Sequence, residues 1–279
     1  MGYFFQNGII HYVKYSPDNM VIPVIVTLAF VLAAIAVGYL LGSINSSIIV
    51  SKVIYGEDIR NSGSGNAGTT NMLRTYGKKA ALFTLLGDVV KTAIAIIIAG
   101  VLGGFQYRSG YSTSSLCYIA GMFCIIGHIF PLYYRFKGGK GVLCLATVVA
   151  ILSIKAFALL IILFILLVAM TKYVSLASCT AAIIYPFVLS RFVSFAGGKL
   201  SSGILIITLA EALLVIWCHR KNLSRLRQGE EPKISFKFKR KEKGDSSSDD
   251  STDIAKKTRC DSGNDTDRTD KDNGGSDNE

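Results

Sequence analysis

Residues 142–189 read VLCLATVVAILSIKAFALLIILFILLVAMTKYVSLASCTAAIIYPFVL and indicate the fold class. Only two charged side chains, Lys155 and Lys172, interrupt this apolar run. A helix that crosses a bilayer needs about 20 mostly apolar residues. Dividing the run at the two lysines therefore predicts three short, tightly connected helices embedded in a membrane.

The composition of the whole chain supports the same class. Of its 279 residues, 51% are hydrophobic and 18% are charged, yet the formal net charge is +11. A soluble domain carries about a quarter charged residues, and a disordered chain is far less apolar. Six cysteines in a chain of this length are too few for a disulfide scaffold. Because the basic residues lie between long apolar runs, we also expect no nucleic-acid partner.

Similar apolar runs flank the central stretch and predict an all-α integral membrane protein. Seven candidate transmembrane helices follow from run length, with Gly-Gly pairs marking several of the joints. They are residues 22–48, 80–102, 114–134, 141–154, 156–171, 173–190 and 201–218.

The distribution of Lys and Arg predicts the orientation of these helices. The segments after the first, third, fifth and seventh helices contain 13 basic residues, and the segments on the opposite side contain five. Basic residues concentrate in cytoplasmic loops. The sequence therefore predicts an N-terminus outside the cell and a C-terminus in the cytosol, and the first 20 residues lack the pattern of a signal peptide.

The charge pattern also divides the chain into three parts. We expect an external N-terminal segment (residues 1–21), a seven-helix membrane domain (residues 22–229) and a cytosolic tail (residues 230–279). Residues 1–229 carry a net charge of +14 and the tail carries −3. From Gly244 onward the tail has almost no apolar side chains, so we expect it to be largely disordered.

The first of three polar segments on the predicted cytosolic face is RNSGSGNAGTTNMLR, residues 60–74. Its glycines let the backbone approach an anion, and its hydroxyl, amide and guanidinium groups are donors for phosphate. The alternative is a flexible loop without a ligand, which is less favourable because nine of the ten residues 62–71 are polar or glycine and none is an acid. The candidate residues are Ser64, Gly65, Asn66, Gly68, Thr70, Asn71 and Arg74.

The second and third segments are also basic. Residues 136–141 read FKGGKG directly before a predicted helix, whose N-terminus favours anions. Residues 219–225 read HRKNLSR, which places His219 and Asn222 on one helix face. The alternative for the second segment is that its lysines only fix the membrane topology. The alternative for the third segment is a basic cluster that only stops transfer of the chain across the membrane. The candidate residues are Lys137, Gly138, Gly139, Lys140, Gly141, His219, Asn222 and Arg225.

Three ionisable residues fall inside predicted spans, where charge is costly. Asp88 and Lys91 are spaced to pair on one helix face. Glu211 has no oppositely charged neighbour in sequence, and we expect it to meet a cation from another helix, with Lys91 as the candidate.

Together the three segments resemble the acyl-phosphate:glycerol-3-phosphate acyltransferase family of bacterial inner membranes (PlsY). The resemblance extends from about Tyr39 to Glu230 and includes Gly87-Asp88-x-x-Lys91 and Gly127-His128-x-Phe130-Pro131. It implies seven helices, an active site at the cytosolic face of the cell membrane, and transfer of an acyl group from acyl phosphate to the 1-hydroxyl of glycerol 3-phosphate.

The resemblance also implies roles for individual residues. Around glycerol 3-phosphate it places Ser64, Arg74, Lys140, His219 and Asn222. Around the acyl-phosphate head it places Gly65, Asn66, Thr70, Gly138 and Gly139. The partners would be these two substrates, membrane lipid and an enzyme that supplies acyl phosphate.

An acyl phosphate is already activated, so we expect direct attack by the glycerol hydroxyl with no covalent nucleophile, cofactor or metal. The proton acceptor is either the phosphate of the donor, which we favour, or neutral His219. A membrane transporter of a phosphorylated anion is the alternative class of function. A lipid-binding scaffold and an acyltransferase that uses a thioester donor are weaker alternatives.

Overall fold

The computed structural model describes residues 21–103, 107–108, 111–112 and 114–234, and nearly all of them are helical, which confirms the predicted all-α class. The helices are α1 Val21–Ser43, α2 Ser46–Tyr55, α3 Thr69–Tyr76, α4 Lys78–Gly103, α5 Ser115–Ile129, α6 Val142–Leu152, α7 Ile154–Thr171, α8 Val174–Phe195, α9 Ser202–Cys218 and α10 Arg220–Arg227. Short 3-10 turns cover Ile59–Asn61 and Leu132–Tyr134, and β1 (Tyr107–Arg108) pairs antiparallel with β2 (Tyr111–Ser112). Most of the predicted N-terminal segment and nearly all of the predicted tail lie outside the described residues.

Each of the seven predicted apolar segments contains a helix, but these helices differ in length. Within the described ranges, five helical stretches are long and apolar enough to cross a membrane. They are Val24–Tyr55, Lys78–Gly103, Ser115–Tyr134, Ile154–Thr171 and Val174–Phe195. The pair α9 and α10, bent by 55°, gives a sixth crossing if it counts as one span. The protein is therefore an integral membrane protein, and the count of seven spans stays a prediction.

The central apolar run forms three helices, as its two lysines predicted. α6 ends before Ser153, and α7 ends at Thr171, where Lys172 adopts a left-handed conformation. α6 has only 11 residues, a length of about 16 Å, which is well short of a bilayer core of about 30 Å. A helix this short ends inside the width of the membrane unless its flanking segments extend it.

Helices α1 and α5 pack backbone against backbone. A Cβ atom added to Gly38 would lie 2.5 Å from the carbonyl oxygen of Ala120, and one added to Gly42 would overlap the carbonyl of Cys124. Small residues permit this approach between membrane helices. The contact holds the break between α1 and α2 beside the C-terminal end of α5, where the polar loops begin.

Of the two predicted contacts between buried charges, one is confirmed and the other is wrong. The ammonium of Lys91 lies 2.8 Å from the Asp88 carboxylate, which confirms the predicted pair within α4. The predicted contact between Glu211 and Lys91 is wrong: Glu211 is fully buried, and neither of its oxygens has a hydrogen-bond partner among the described residues. Lys91 is unavailable to it because Asp88 lies one helical turn away on the same helix.

Candidate active site

The glycine-rich loop before α3 is held in shape by Asn71. The Asn71 side chain accepts a hydrogen bond from the backbone N–H of Ser64 at 2.9 Å and donates to the carbonyl of Ser62 at 2.9 Å. Gly63 and Gly65 both adopt left-handed backbone conformations, with φ of 62° and 70°. Because its polar atoms are used within the loop, Asn71 shapes this segment and leaves Ser64 and its neighbours to face outward.

Most of the predicted residues in this first segment are accessible. Ser64, Gly65, Thr70 and Arg74 are exposed, and Asn66 and Gly68 are half-buried. Helix α3 starts after Gly68 without a side-chain cap. An uncapped helix N-terminus beside a glycine loop favours an anion, because its N–H groups and its dipole both point outward.

The second segment is a tight turn that packs on the end of α5. The backbone N–H groups of Gly138 and Gly139 donate to the carbonyls of Ile129 and His128, at 3.1 Å and 3.0 Å. A Cβ atom on Gly139 would overlap Nε2 of His128 and lie 2.6 Å from the carbonyl oxygen of Ala67. Only glycine fits between the imidazole and the first loop. Gly141 is buried, and Lys137 is exposed.

Arg60 ties the first segment to the second. Its guanidinium donates to the carbonyls of Tyr134 at 2.9 Å and Lys137 at 3.1 Å, and it pairs with the Asp58 carboxylate at 2.7 Å. The hydrogen bond from Arg60 lowers the pKa of Asp58 to about 2, so this pair stays charged at neutral pH. Arg60 and Asp58 were not among the predicted site residues, because nothing local links them to residues more than 70 positions away.

Lys140 and Asn222 join the second segment to the third. The Lys140 ammonium donates to Oδ1 of Asn222 at 2.5 Å, although the two residues are 82 positions apart. Both side chains are half-buried. Burial lowers the pKa of Lys140, which means that its positive charge is only weakly hydrated and is available to a bound anion.

Glu231 holds Asn222 in place, and sequence reasoning missed it. Its carboxylate accepts hydrogen bonds from Asn222 at 2.6 Å, from Ser175 at 2.9 Å and from Arg225 at 2.9 Å. Burial raises the pKa of Glu231, but these three hydrogen bonds outweigh burial, so its pKa lies below the usual value. Glu231 falls in the predicted tail, and the only local signal for its role is an acid close to a strongly basic segment.

His219 lies at the joint between α9 and α10 and is 3% exposed. Its Nδ1 lies 2.8 Å from the carbonyl oxygen of Val215, and because a carbonyl only accepts, Nδ1 must be the protonated nitrogen. Nε2 is then the acceptor. Burial lowers the pKa of His219 to about 4, and the nearby Lys140 charge acts in the same direction. His219 is therefore a neutral acceptor beside Lys140 and Asn222.

The contacts of Arg60, Lys140 and Asn222 bring the three sequence segments together at one end of the helices. The assembled surface offers backbone N–H groups, hydroxyls, one neutral imidazole and several cations. No group of three or more His, Cys, Asp or Glu side chains that could hold a metal ion is found in the described part of the chain. Chemically, such a surface can hold two anionic groups and orient a hydroxyl between them.

Comparisons with known proteins identify similar chains. The sequence profile of the family described as "Glycerol-3-phosphate acyltransferase" matches residues 32–229. The glycerol-3-phosphate acyltransferase of Coxiella burnetii (strain RSA 493 / Nine Mile phase I) is 37% identical over 209 residues, which cover 75% of this chain and 100% of that protein. The protein of the same name from Syntrophomonas wolfei is 40% identical over 207 residues, covering 74% of this chain and 97% of its own.

Two solved structures are also similar to this chain. Both are of PlsY (YgiH), an integral membrane glycerol 3-phosphate acyltransferase. The glycerol 3-phosphate form aligns with a TM-score of 0.64 at 32% identity, covering 74% of this chain and 96% of that one. The lysophosphatidic acid form aligns with a TM-score of 0.62 at 30% identity, covering 74% and 95%.

Proposed function

The chain belongs to the glycerol-3-phosphate acyltransferase family, and we propose that it transfers an acyl group from acyl phosphate to the 1-hydroxyl of sn-glycerol 3-phosphate. It is a membrane acyltransferase of phospholipid synthesis. The products of the proposed reaction are lysophosphatidate and phosphate. The observation that carries the proposal is the contact between Lys140 and Asn222, because it joins the predicted donor-binding turn to the predicted acceptor-binding residues.

Two substrates with phosphate groups repel each other, so the site must supply positive charge to both. Lys140 and Arg74 provide cations, and Ser64 provides a hydroxyl for the phosphate of glycerol 3-phosphate. Asn222 and His219 orient the glycerol part. These roles agree with the exposure of Ser64 and Arg74 and with the fixed orientation of Asn222.

The acyl-phosphate head is proposed to bind between the glycine loop and the Gly138–Gly139 turn. Gly65, Asn66 and Thr70 line the loop, and Gly139 brings the turn within contact of Ala67. The supporting residues of this cradle are Gly68, Asn71, Lys137, Gly141 and Arg225. Asn71 acts by shaping the loop, and Arg225 acts by fixing Glu231.

The reaction is a direct displacement at the acyl carbon. The oxygen of the 1-hydroxyl forms a bond to the carbonyl carbon, the bond from that carbon to the phosphate oxygen breaks, and phosphate leaves. The hydroxyl proton passes to the leaving phosphate. His219 is a poor base, because burial lowers its pKa to about 4, so its role is to accept a hydrogen bond at Nε2 and orient the substrate.

The role of His219 is tested by the variant His219→Gln. Glutamine retains a hydrogen-bond acceptor but is not a proton acceptor at neutral pH. We expect kcat to stay within a few-fold of the wild-type value while KM for glycerol 3-phosphate rises. A fall in kcat of about 10²–10⁴-fold would instead identify His219 as the general base.

We also propose seven spans, an external N-terminus and a cytosolic C-terminus in the bacterial cell membrane. The excess of basic residues beside the polar segments supports this orientation. With this orientation the three polar segments lie at the cytosolic face of the membrane. An enzyme that supplies acyl phosphate is a natural partner, since the donor hydrolyses easily in water. Family membership does not favour the alternative of a transporter for phosphorylated anions.

The decisive experiment is acyl transfer by the purified protein to labelled glycerol 3-phosphate. Parallel reactions contain either acyl phosphate or an acyl thioester as the donor. We expect labelled lysophosphatidate only from acyl phosphate. Transfer from the thioester alone would overturn the proposed donor, and transfer from neither would overturn the proposed reaction.

A further inference from the structure

A buried network of charged side chains lies directly beneath the site. Asp88, Lys91 and His128 are exposed by 1%, 4% and 4%, and they come from two helices, α4 and α5. Lys91 Nζ lies 2.8 Å from Oδ1 of Asp88 and 2.9 Å from Nδ1 of His128. The mechanism above uses none of these three residues.

The imidazole of His128 lies between the ion pair and the glycine turn. Its Nδ1 is 2.9 Å from Lys91 Nζ and 3.6 Å from Oδ1 of Asp88. Its Nε2 faces the Gly138–Gly139 turn, because a Cβ atom on Gly139 would overlap it. The imidazole is thus held on one side by Lys91 and borders the donor-binding turn on the other.

The same ammonium also holds the break between α1 and α2. Lys91 donates to the carbonyls of Gly42 at 3.2 Å and Ile44 at 2.7 Å, and Ser46 donates to Asp88 at 3.0 Å. Helix α2 leads directly to the 3-10 turn and the glycine-rich loop, and Ser51 of α2 accepts a hydrogen bond from the N–H of Ile59. The network therefore contacts both the Gly138–Gly139 turn and the helix break that precedes the glycine-rich loop. The acyl-phosphate head is proposed to bind between this turn and this loop.

Only a few contacts separate His128 from the side chains proposed to bind the substrates. The N–H of Gly139 donates to the carbonyl of His128 at 3.0 Å, and Lys140, the next residue, donates to Asn222. A displacement of His128 would move the turn and with it the Lys140 ammonium. Misplacement by about 1 Å is enough to lower the rate of an oriented reaction by about 10²-fold.

We propose that Asp88, Lys91 and His128 are positioning residues for acyl transfer, which act by holding the Gly138–Gly139 turn and the glycine-rich loop at a fixed separation. Burial of an ion pair is a costly way to obtain stability, because apolar replacements of similar volume are often as stable. A role in positioning explains why the charges are placed under the site. The inference rests on the proposed function, since it concerns the geometry of that site.

The test separates positioning from stability with the double variant Asp88→Leu/Lys91→Met. It removes both charges together and leaves no unpaired buried ion. We expect its thermal midpoint in detergent to stay near the wild-type value while kcat per folded molecule falls about 10²-fold. A double variant with kcat within threefold of wild type would overturn the inference.

Two further variants complete the design. Leu189→Ala removes a fully buried side chain of α8 that belongs to the apolar core, so it lowers stability but is expected to leave kcat per folded molecule unchanged.

If the double variant does not fold, His128→Gln replaces it. This variant keeps an acceptor for Lys91 but loses the imidazole beside Gly139, and we expect about a tenfold lower kcat. A kcat within twofold of wild type would overturn the inference.

Binding of glycerol 3-phosphate, measured by calorimetry, tests the inference independently of turnover. A displaced Lys140 weakens binding of this anion, so we expect about a tenfold higher Kd in the double variant and an unchanged Kd in Leu189→Ala. Equal Kd values for the double variant and wild type would count against positioning. Wild-type protein that binds glycerol 3-phosphate but transfers no acyl group would instead contradict the proposed function alone.

Discussion

The variant Lys140→Met is expected to lower kcat/KM for acyl transfer by about 10²–10³-fold, the range found when one preorganised donor is removed from an active site. Lys140 is the cation that connects the glycine turn to Asn222, and its ammonium is half-buried. A charge in such a partly desolvated position acts on a bound phosphate more strongly than a charge in water. Methionine is also unbranched and only one atom shorter, so the variant removes the charge and its donors and keeps most of the side chain.

Loss of folding is not expected to explain this effect. Burial lowers the pKa of Lys140, so its ammonium is held against a desolvation cost, and an apolar replacement relieves that cost. The matched control is Lys155→Met, which removes an exposed lysine at the start of α7 and is expected to leave kcat/KM unchanged. Steady-state kinetics with both substrates provide the measurement. Equal kcat/KM values for the two variants would remove Lys140 from the proposed site.

The second large effect is expected from Gly139→Ala, which adds a single methyl group. That group would overlap Nε2 of His128 and lie 2.6 Å from the carbonyl oxygen of Ala67. Neither neighbour can retreat easily, because one is a ring held by Lys91 and the other is backbone. The turn must therefore move away, and we expect acyl transfer to fall about 10²-fold or more.

A matched glycine control is available in α9. Gly203 has only the Ser201 hydroxyl near its Cβ position, at 3.7 Å, so Gly203→Ala meets open space. Alanine also favours a helix more than glycine does. We expect Gly203→Ala to retain wild-type activity and a slightly higher thermal midpoint. If Gly139→Ala retained activity as well, the close contact of the turn with His128 and Ala67 would have no catalytic importance.

The fold class followed from the sequence because its cause is local. A bilayer requires long apolar helices, and residues 142–189 show the required length and composition without any knowledge of packing. The pairing of Asp88 with Lys91 was predictable for the same reason, since residues three apart on a helix are neighbours. The prediction for Glu211 was wrong because its surroundings come from other helices.

The three candidate segments could be chosen from the sequence, but the contacts that bring them together could not. Glycines, amides and cations within residues 60–74, 136–141 and 219–225 indicated phosphate chemistry from composition alone. The sequence did not reveal Glu231, whose partners Ser175 and Asn222 lie on different helices. It also did not reveal the contact of His128 with both Lys91 and the glycine turn.

Hydropathy and side-chain chemistry are properties of short stretches, so the sequence alone was enough to predict a helical membrane protein and three candidate phosphate-binding segments. Which side chains meet depends on the tertiary structure. Lys140 contacts Asn222 across 82 positions, and Arg60 contacts Lys137 across 77, because helix packing brings their loops to one end of the bundle. Close backbone contacts such as that of Gly38 with Ala120 set this packing, and a sequence pattern does not specify the resulting distances.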